Sequence, residues 1–372
     1  MSKPAVKFKS TDQPEFFKVL RSRVNDHFKE KDISRHANVN MVLKTTFMIG
    51  LYFTPFVLML TGVVTGAWPI FAMWLIMGFG MSGIGLSIMH DACHGSYSSN
   101  ARVNKFIGFI LNFIGGYPMN WRIQHNVLHH TYTNVEGYDE DIDKKGLLRL
   151  SPNQPHNSAN KYQAFYAPFL YGLMTFYWLV AKDFDQLKRY SQMDLVKPQG
   201  TTTTKALIEI IFNKTWYLGL TVVLPFMVLD VAWWVILGGF FTMQFICGLI
   251  LAFIFQPAHV IPETQFFIPD ENNSVENNWA IHQLLTTANF ANGSTVFSWL
   301  VGGLNYQIEH HLFPNICHVH YRDLSKIVKQ TAQEFNIPYY HHKTFFSALR
   351  QHFALLNDLG AGKGLEEVKV AA

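Results

Sequence analysis

Charge is scarce in this sequence: Asp, Glu, Lys and Arg together make up 15% of 372 residues, while 49% are hydrophobic and 15% aromatic. That balance excludes an ordinary soluble enzyme of this length and makes a bilayer the natural solvent. Cysteine is scarcer still. Cys93, Cys247 and Cys317 lie far apart and form no CxxC pair, which excludes a disulfide framework and a thiolate metal site and fits a reducing compartment. With 15 Pro and 25 Gly against 32 Phe, neither a collagen-like nor a disordered chain is indicated. No cleavable export signal precedes the first apolar run, which begins near Val42 behind a polar, Lys- and Arg-bearing arm. The net charge of +4 is small and gives no reason to expect a nucleic-acid partner.

What the chain does have is apolar sequence in long runs. About 20 such residues cross about 30 Å of hydrocarbon, and four runs qualify. Val42 to Val64 and Ile70 to His90 are parted by a polar break at Thr65 to Pro69; Leu207 to Leu229 and Val231 to Phe255 are parted at Asp230. Each pair predicts a tight helical hairpin, with kinks at Pro55 and Pro225. Shorter apolar stretches at Phe106 to Pro118, Phe165 to Val180 and Ala288 to Leu304 read as helices lying on the membrane. Ten Lys and Arg fall in residues 1–44 and twelve in 91–205, while neither short turn carries one. The positive-inside rule then puts both termini and the central segment in the cytoplasm. Lys214, inside the third run, must snorkel, or that helix starts later. The predicted architecture is an all-α membrane protein of one domain, 1–372. It has a basic cytoplasmic arm (1–41), a first transmembrane hairpin (42–90), a cytoplasmic helical cap (91–206), a second hairpin (207–255), and further cap and tail (256–372).

Seventeen histidines are the strongest chemical signal. The second run ends in His90-Asp91-Ala92-Cys93-His94, an i, i+4 pair that sets two imidazoles on one helical face. His125-Asn126-Val127-Leu128-His129-His130 repeats the device, with His125 and His129 stacked and His130 turned towards a neighbouring site. Gln307-Ile308-Glu309-His310-His311 adds a third cluster, and His259 follows the fourth run at the same predicted cytoplasmic mouth. Eight histidines exceed what one ion needs, which argues for two. Iron is favoured over zinc, because a binuclear cage beside an apolar helical scaffold suits oxygen activation against hydrocarbon. Neutral imidazoles bring no charge, so Asp91, Glu136, Asp139, Asp141 and Glu309 are candidates to hydrogen-bond the outer ring nitrogens. The acidic run Tyr138 to Asp143 either takes that role or forms a solvated turn. His27, His36, His156, His341, His342 and His352 stand outside the clusters and receive no function. Cys317-His318-Val319-His320 lacks a fourth ligand, and His282 is open between supporting a ligand and capping.

On these residues the sequence resembles the membrane fatty acid desaturases, whose hallmark is three histidine boxes of the types HxxxH, HxxHH or HxxxHH, and HxxHH or QxxHH. The boxes here are His90 to His94, His125 to His130 and Gln307 to His311. The glutamine opening the third box is similar to that of the front-end enzymes, which insert a double bond between an existing one and the carboxyl end. The resemblance implies four spans beneath a cytoplasmic helical cap. It implies two non-haem iron ions held by His90, His94, His125, His129, His130, His259, His310 and His311, with Gln307 near or on the metal. By the same resemblance, dioxygen removes two hydrogens from adjacent methylenes of an acyl-lipid or acyl-CoA and leaves as water. The HPGG motif of a fused cytochrome b5 domain is absent, so a separate donor, cytochrome b5-like or a ferredoxin, is expected to supply the electrons. Two other readings use the same cage: a di-iron hydroxylase or ketolase, against which the QxxHH box argues, and a non-enzymatic membrane protein that binds metal.

Overall fold

A computed structural model describes residues 5–9, 11, 13–143 and 146–364. The ends of the predicted basic arm and tail lie outside these residues. The chain is mostly helical and divides into two units.

The first unit comprises Val39–Ile123 and Phe169–Ala252. Four helices of the chain are long and apolar enough to cross a membrane: Val39–Leu60, Ala67–Cys93, Thr203–Val228 and Trp233–His259. Ser158–Gly172 and Met174–Gln192 reach that standard only together. The first and third helices bury only 33% and 22% of their most apolar windows. Exposed Val42, Leu43, Phe47 and Val57 on the first, and Ile208, Ile211 and Phe212 on the third, therefore need an apolar solvent. Contacts inside the unit are close enough to demand glycine. A Cβ on Gly80 would stand 2.5 Å from the backbone nitrogen of Tyr52, and one on Gly248 would stand 2.7 Å from the carbonyl oxygens of Tyr171 and Gly172. Small residues of this kind let apolar helices meet backbone to backbone.

Several of the predicted boundaries move. The third helix begins earlier than expected, at Thr203, and Lys214 neither snorkels nor lies at its start. It is 7% exposed, and its ammonium donates to the carbonyls of Gly115 (2.5 Å) and Trp178 (2.9 Å) and to the carboxylate of Asp183 (2.5 Å). All three ammonium donors are satisfied, which is what permits a buried charge there. The fourth helix continues through His259, so that residue occupies its last turn instead of following it. Ala288–Phe290, expected in a helix lying on the membrane, is a buried strand paired in parallel with Tyr340–His342, and only Thr295–Leu300 is helical in the stretch up to residue 300.

The second unit comprises residues 5–38, Gln124–Pro168 and 253–364. The helix Glu15–Glu30 buries Phe16, Leu20, Val24 and Phe28, a four-residue repeat that makes one apolar stripe. The stripe belongs to a core shared with Ile308 of the third box, with Leu312 just after it, and with Leu324, Val328 and Ala332. Lys7–Phe8 pairs in parallel with Ser274–Val275. The C-terminal helix Phe345–Gly360 opens on a Thr344/Ser347 capping box and ends on Arg149, which donates to the carbonyls of Leu359 and Lys363.

Candidate metal centre

The second box lies on a π-helical turn, Ile123–His129, that follows the short helix Pro118–Arg122. A π turn closes i to i+5, where an α turn closes i to i+4. His125 is thereby brought round to His130, their Nε2 atoms 3.2 Å apart. His310, on the buried helix Gln307–Leu312, joins them. Its Nε2 lies 2.9 Å from that of His130 and 3.4 Å from that of His125. His129 stacks on His125, with ring centroids 5.4 Å apart, yet its ligating nitrogen belongs elsewhere. Those of His129, His259 and His311 all lie within 4.8 Å of one another. The consecutive histidines of the second box and of the third therefore part company, His130 and His310 with His125 in a first group and His129 and His311 with His259 in a second. The straight α-helical reading, with His125 and His129 stacked and His130 turned towards a neighbouring site, gives the stacking but not the approach of His130 to His125, because no residue pattern announces a π turn.

Each ring of the second group is held by its outer nitrogen. His129 Nδ1 lies 3.1 Å from the buried carboxylate of Asp139 and 3.4 Å from Asp141. His259 Nδ1 donates to the carbonyl of Thr286 at 3.1 Å, and His311 Nδ1 to the side-chain oxygen of Gln283 at 2.9 Å. An acceptor at Nδ1 fixes the proton there and leaves the Nε2 lone pair for a metal. Asp139 is fixed in turn by the backbone N–H groups of Asn134 and Asp141, each 2.9 Å away. Of the two roles open to the acidic run, pairing with the outer nitrogen of a box histidine is therefore the one Asp139 takes. In the first group His310 Nδ1 meets the Tyr321 hydroxyl at 3.2 Å.

These residues fit a metal. Nε2 of His259 is buried with no hydrogen-bond partner among the described residues, an arrangement that is costly unless something else fills it. In the first group, a point just off the plane of the three Nε2 atoms stands about 2 Å from each, the usual metal–imidazole distance. The donor set is all neutral nitrogen, which suits first-row transition ions.

Gln307 is fully buried, and neither polar atom of its amide has a partner among the described residues. Glu309 departs from expectation. Its carboxylate reaches no box imidazole and accepts instead from Asn289 (2.7 Å) and Tyr339 (3.0 Å), and burial raises its pKa to about 7. This network ties the third box to the strand Ala288–Phe290. The first box belongs to the other unit. There His90 and His94 stand 4.8 Å apart by ring centroid, and both rings pack edgewise on Trp121. Asp91 lies 3.9 Å from His90 Nδ1. His282 is fully buried and donates from Nε2 to the carbonyl of Thr133 at 2.7 Å, which makes it a brace for the segment leaving the second box. Gln283 and Thr286 were not legible as ring partners. The one signal was a run of buried polar residues, Gln283, Thr286 and Thr287, and burial is not visible in sequence.

The fold and these clusters define a protein with four helices able to cross a membrane and histidine sites able to bind metal. The fatty acid desaturase family model matches residues 66–343. The sn-1 linoleoyl-lipid 6-desaturase of Synechocystis sp. is 34% identical over 360 residues, covering 96% of this chain and 98% of its own. The Arthrospira platensis protein of the same name is 33% identical over 363 residues, covering 95% and 96%. The acyl-lipid (8-3)-desaturase of Physcomitrium patens is 35% identical over 364 residues, covering 96% and 74%. The chain belongs to the fatty acid desaturase family and is an oxidoreductase of lipid metabolism.

Proposed function

We propose that the protein is an oxygen-dependent front-end desaturase that introduces a cis double bond into a lipid-linked acyl chain. Two non-haem iron ions are held by His90, His94, His125, His129, His130, His259, His310 and His311, with Gln307 on or beside one of them. The observation that supports two ions is that the Nε2 atoms of His125, His130 and His310 converge within 3.4 Å, while the ligating nitrogens of His129, His259 and His311 converge separately within 4.8 Å. The QxxHH box and relatives named as 6- and (8-3)-desaturases support the front-end class. Their names, linoleoyl-lipid and acyl-lipid, favour a lipid carrier over CoA.

Bound iron would supply the oxidising power, using dioxygen and electrons from a separate donor, cytochrome b5-like or a ferredoxin. The protein's own residues do the rest. Asp139, Thr286 and Gln283 hold His129, His259 and His311 in one tautomer, and burial of all six rings keeps water from the reacting carbons. The whole chain acts as one desaturase domain. Its long helices form two hairpins, and both termini, the helical cap and the boxes lie on the cytoplasmic side. The distribution of Lys and Arg supports this topology.

Expression in a host that lacks the product, followed by lipid profiling, tests the reading. Cells should gain an unsaturated acyl lipid, and His129→Ala should abolish it at an unchanged protein level. Hydroxylated product would favour the hydroxylase reading. Zinc in place of iron, without oxygen consumption, would favour a metal-binding protein.

A further inference from the structure

The helix Glu15–Glu30 turns its basic residues away from the core, and half of the six cations in and just beyond it are neutralised. Lys18 pairs with Glu15, Arg23 with Glu334, and Lys31, just beyond the helix, with Asp323. Arg21 and Arg35 are different. Among the described residues neither guanidinium meets a carboxylate; Arg35 donates only to the neutral amide of Asn25, at 3.3 Å, and lies over the Phe28 ring at 5.7 Å. Both line one cavity of about 570 Å³ whose apolar wall includes Phe17, Val24, Trp279 and Phe313. Two uncompensated guanidinium groups beside an aromatic wall are the complement of an anionic head on an apolar body.

The cavity also adjoins the second and third boxes within the same unit. Trp279 donates from its indole N–H to the carbonyl of His130 at 3.2 Å, and Leu312, another lining residue, directly follows His311. We infer that this cavity binds the phosphate headgroup of an anionic acyl lipid, the carrier of the chain to be desaturated. The inference rests on the front-end reading. A double bond placed near the carboxyl end leaves only a short stretch of chain between the ester and the reacting carbons, so the headgroup has to be held close to the boxes. A concave space of this size suits a headgroup, whereas a protein partner needs a face of about 800 Å².

The test uses the full-length, iron-loaded enzyme in nanodiscs, with linoleoyl chains carried by phosphatidylglycerol, by phosphatidylcholine or by CoA. The expected wild-type preference is a KM about tenfold lower for phosphatidylglycerol, the size of one charge-assisted hydrogen bond. Native mass spectrometry should show phosphatidylglycerol retained on the protein. In R21Q/R35Q the KM ratio should fall to about one and the retained lipid should be lost. R21K/R35K should keep part of the preference, and the remote surface variant K161Q all of it. A wild-type ratio of one, or a preference that survives in R21Q/R35Q, overturns the inference. So does a loss confined to linoleoyl-CoA, which would assign the cavity to an acyl-carrier phosphate, or a loss of reduction by the electron donor with lipid retention intact, which would assign it to a protein. If the double variant does not fold, R21Q alone takes its place: weakened lipid retention supports the inference and undiminished retention overturns it. Failure of the desaturase reading looks different: iron-loaded enzyme would yield product from no carrier, while lipid retention would still report on the cavity.

Discussion

An imidazole offers a metal one nitrogen, so the proton on the other nitrogen decides whether a histidine is a ligand at all. At His129 that decision rests with Asp139, whose carboxylate is 3.1 Å from Nδ1 and only 1% exposed. Asp139→Asn keeps the shape and one acceptor but removes the charge that raises ligand basicity. We expect metal affinity to fall about 10- to 100-fold, measured by chelator competition, with the unfolding midpoint of the metal-free protein nearly unchanged. A lowered midpoint with intact affinity would reduce Asp139 to a loop brace. The clustering histidines were legible in sequence where four-residue spacing, a local property, pairs them, as at His90/His94 and His125/His129. Their outer partners were only half legible: Asp139 and Asp141 stand ten and twelve residues from His129, inside an acidic run, but Gln283 and Thr286 reach His311 and His259 from 28 and 27 residues away with no periodicity to mark them. Glu309 shows the opposite error. Adjacency to His310 suggested a ring partner, and the helix turns its carboxylate to Asn289 and Tyr339 instead.

At the scale of elements, apolar length gave the four long helices to within a few residues, since burial of about 20 apolar residues is a summed property that tolerates local exceptions. Lys214 was the exception read wrongly, because its partner Asp183 comes from a distant segment. Asp183→Asn leaves a buried ammonium without its counter-charge and should cost about 3–5 kcal/mol, whereas K214M/D183L, which removes both charges, should recover most of that. Unfolding midpoints in detergent would rank the three proteins, and a double variant no better than the single one would count against the ion pair. The C-terminal helix carries a pH dependence of its own. His352 is fully buried and donates from Nδ1 to the carbonyl of Val260 at 2.8 Å, and burial lowers its pKa from 6.5 to about 4. Between those values the unfolded chain binds a proton that the folded one does not. The stability present above pH 6.5 is therefore lost as pH falls towards 4, by about 3 kcal/mol in all. His352→Asn can make the same donation without titrating, so its midpoint should fall less steeply than the wild type's over that window.

For the molecule as a whole, the strongest sequence constraint is the placement of cations, which bears on which side of the bilayer each segment occupies. Neither short turn between the apolar runs has a Lys or Arg, while residues 91–205 have twelve, and that asymmetry predicts that the turns face outward and the boxes inward. The three native cysteines are all buried, so a membrane-impermeant thiol reagent should report only cysteines introduced at the surface. Thr65→Cys and Asp230→Cys, in the two turns, should label in intact cells. Ser158→Cys and Lys329→Cys are exposed positions of the unit that carries the second and third boxes, and they should label only after the membrane is opened. Labelling of Ser158→Cys or Lys329→Cys in intact cells would put the histidines on the outer face, away from any cytoplasmic electron donor. Labelling of one turn but not the other would mean an odd number of crossings between them, as happens if Ser158–Gly172 and Met174–Gln192 together make a fifth span.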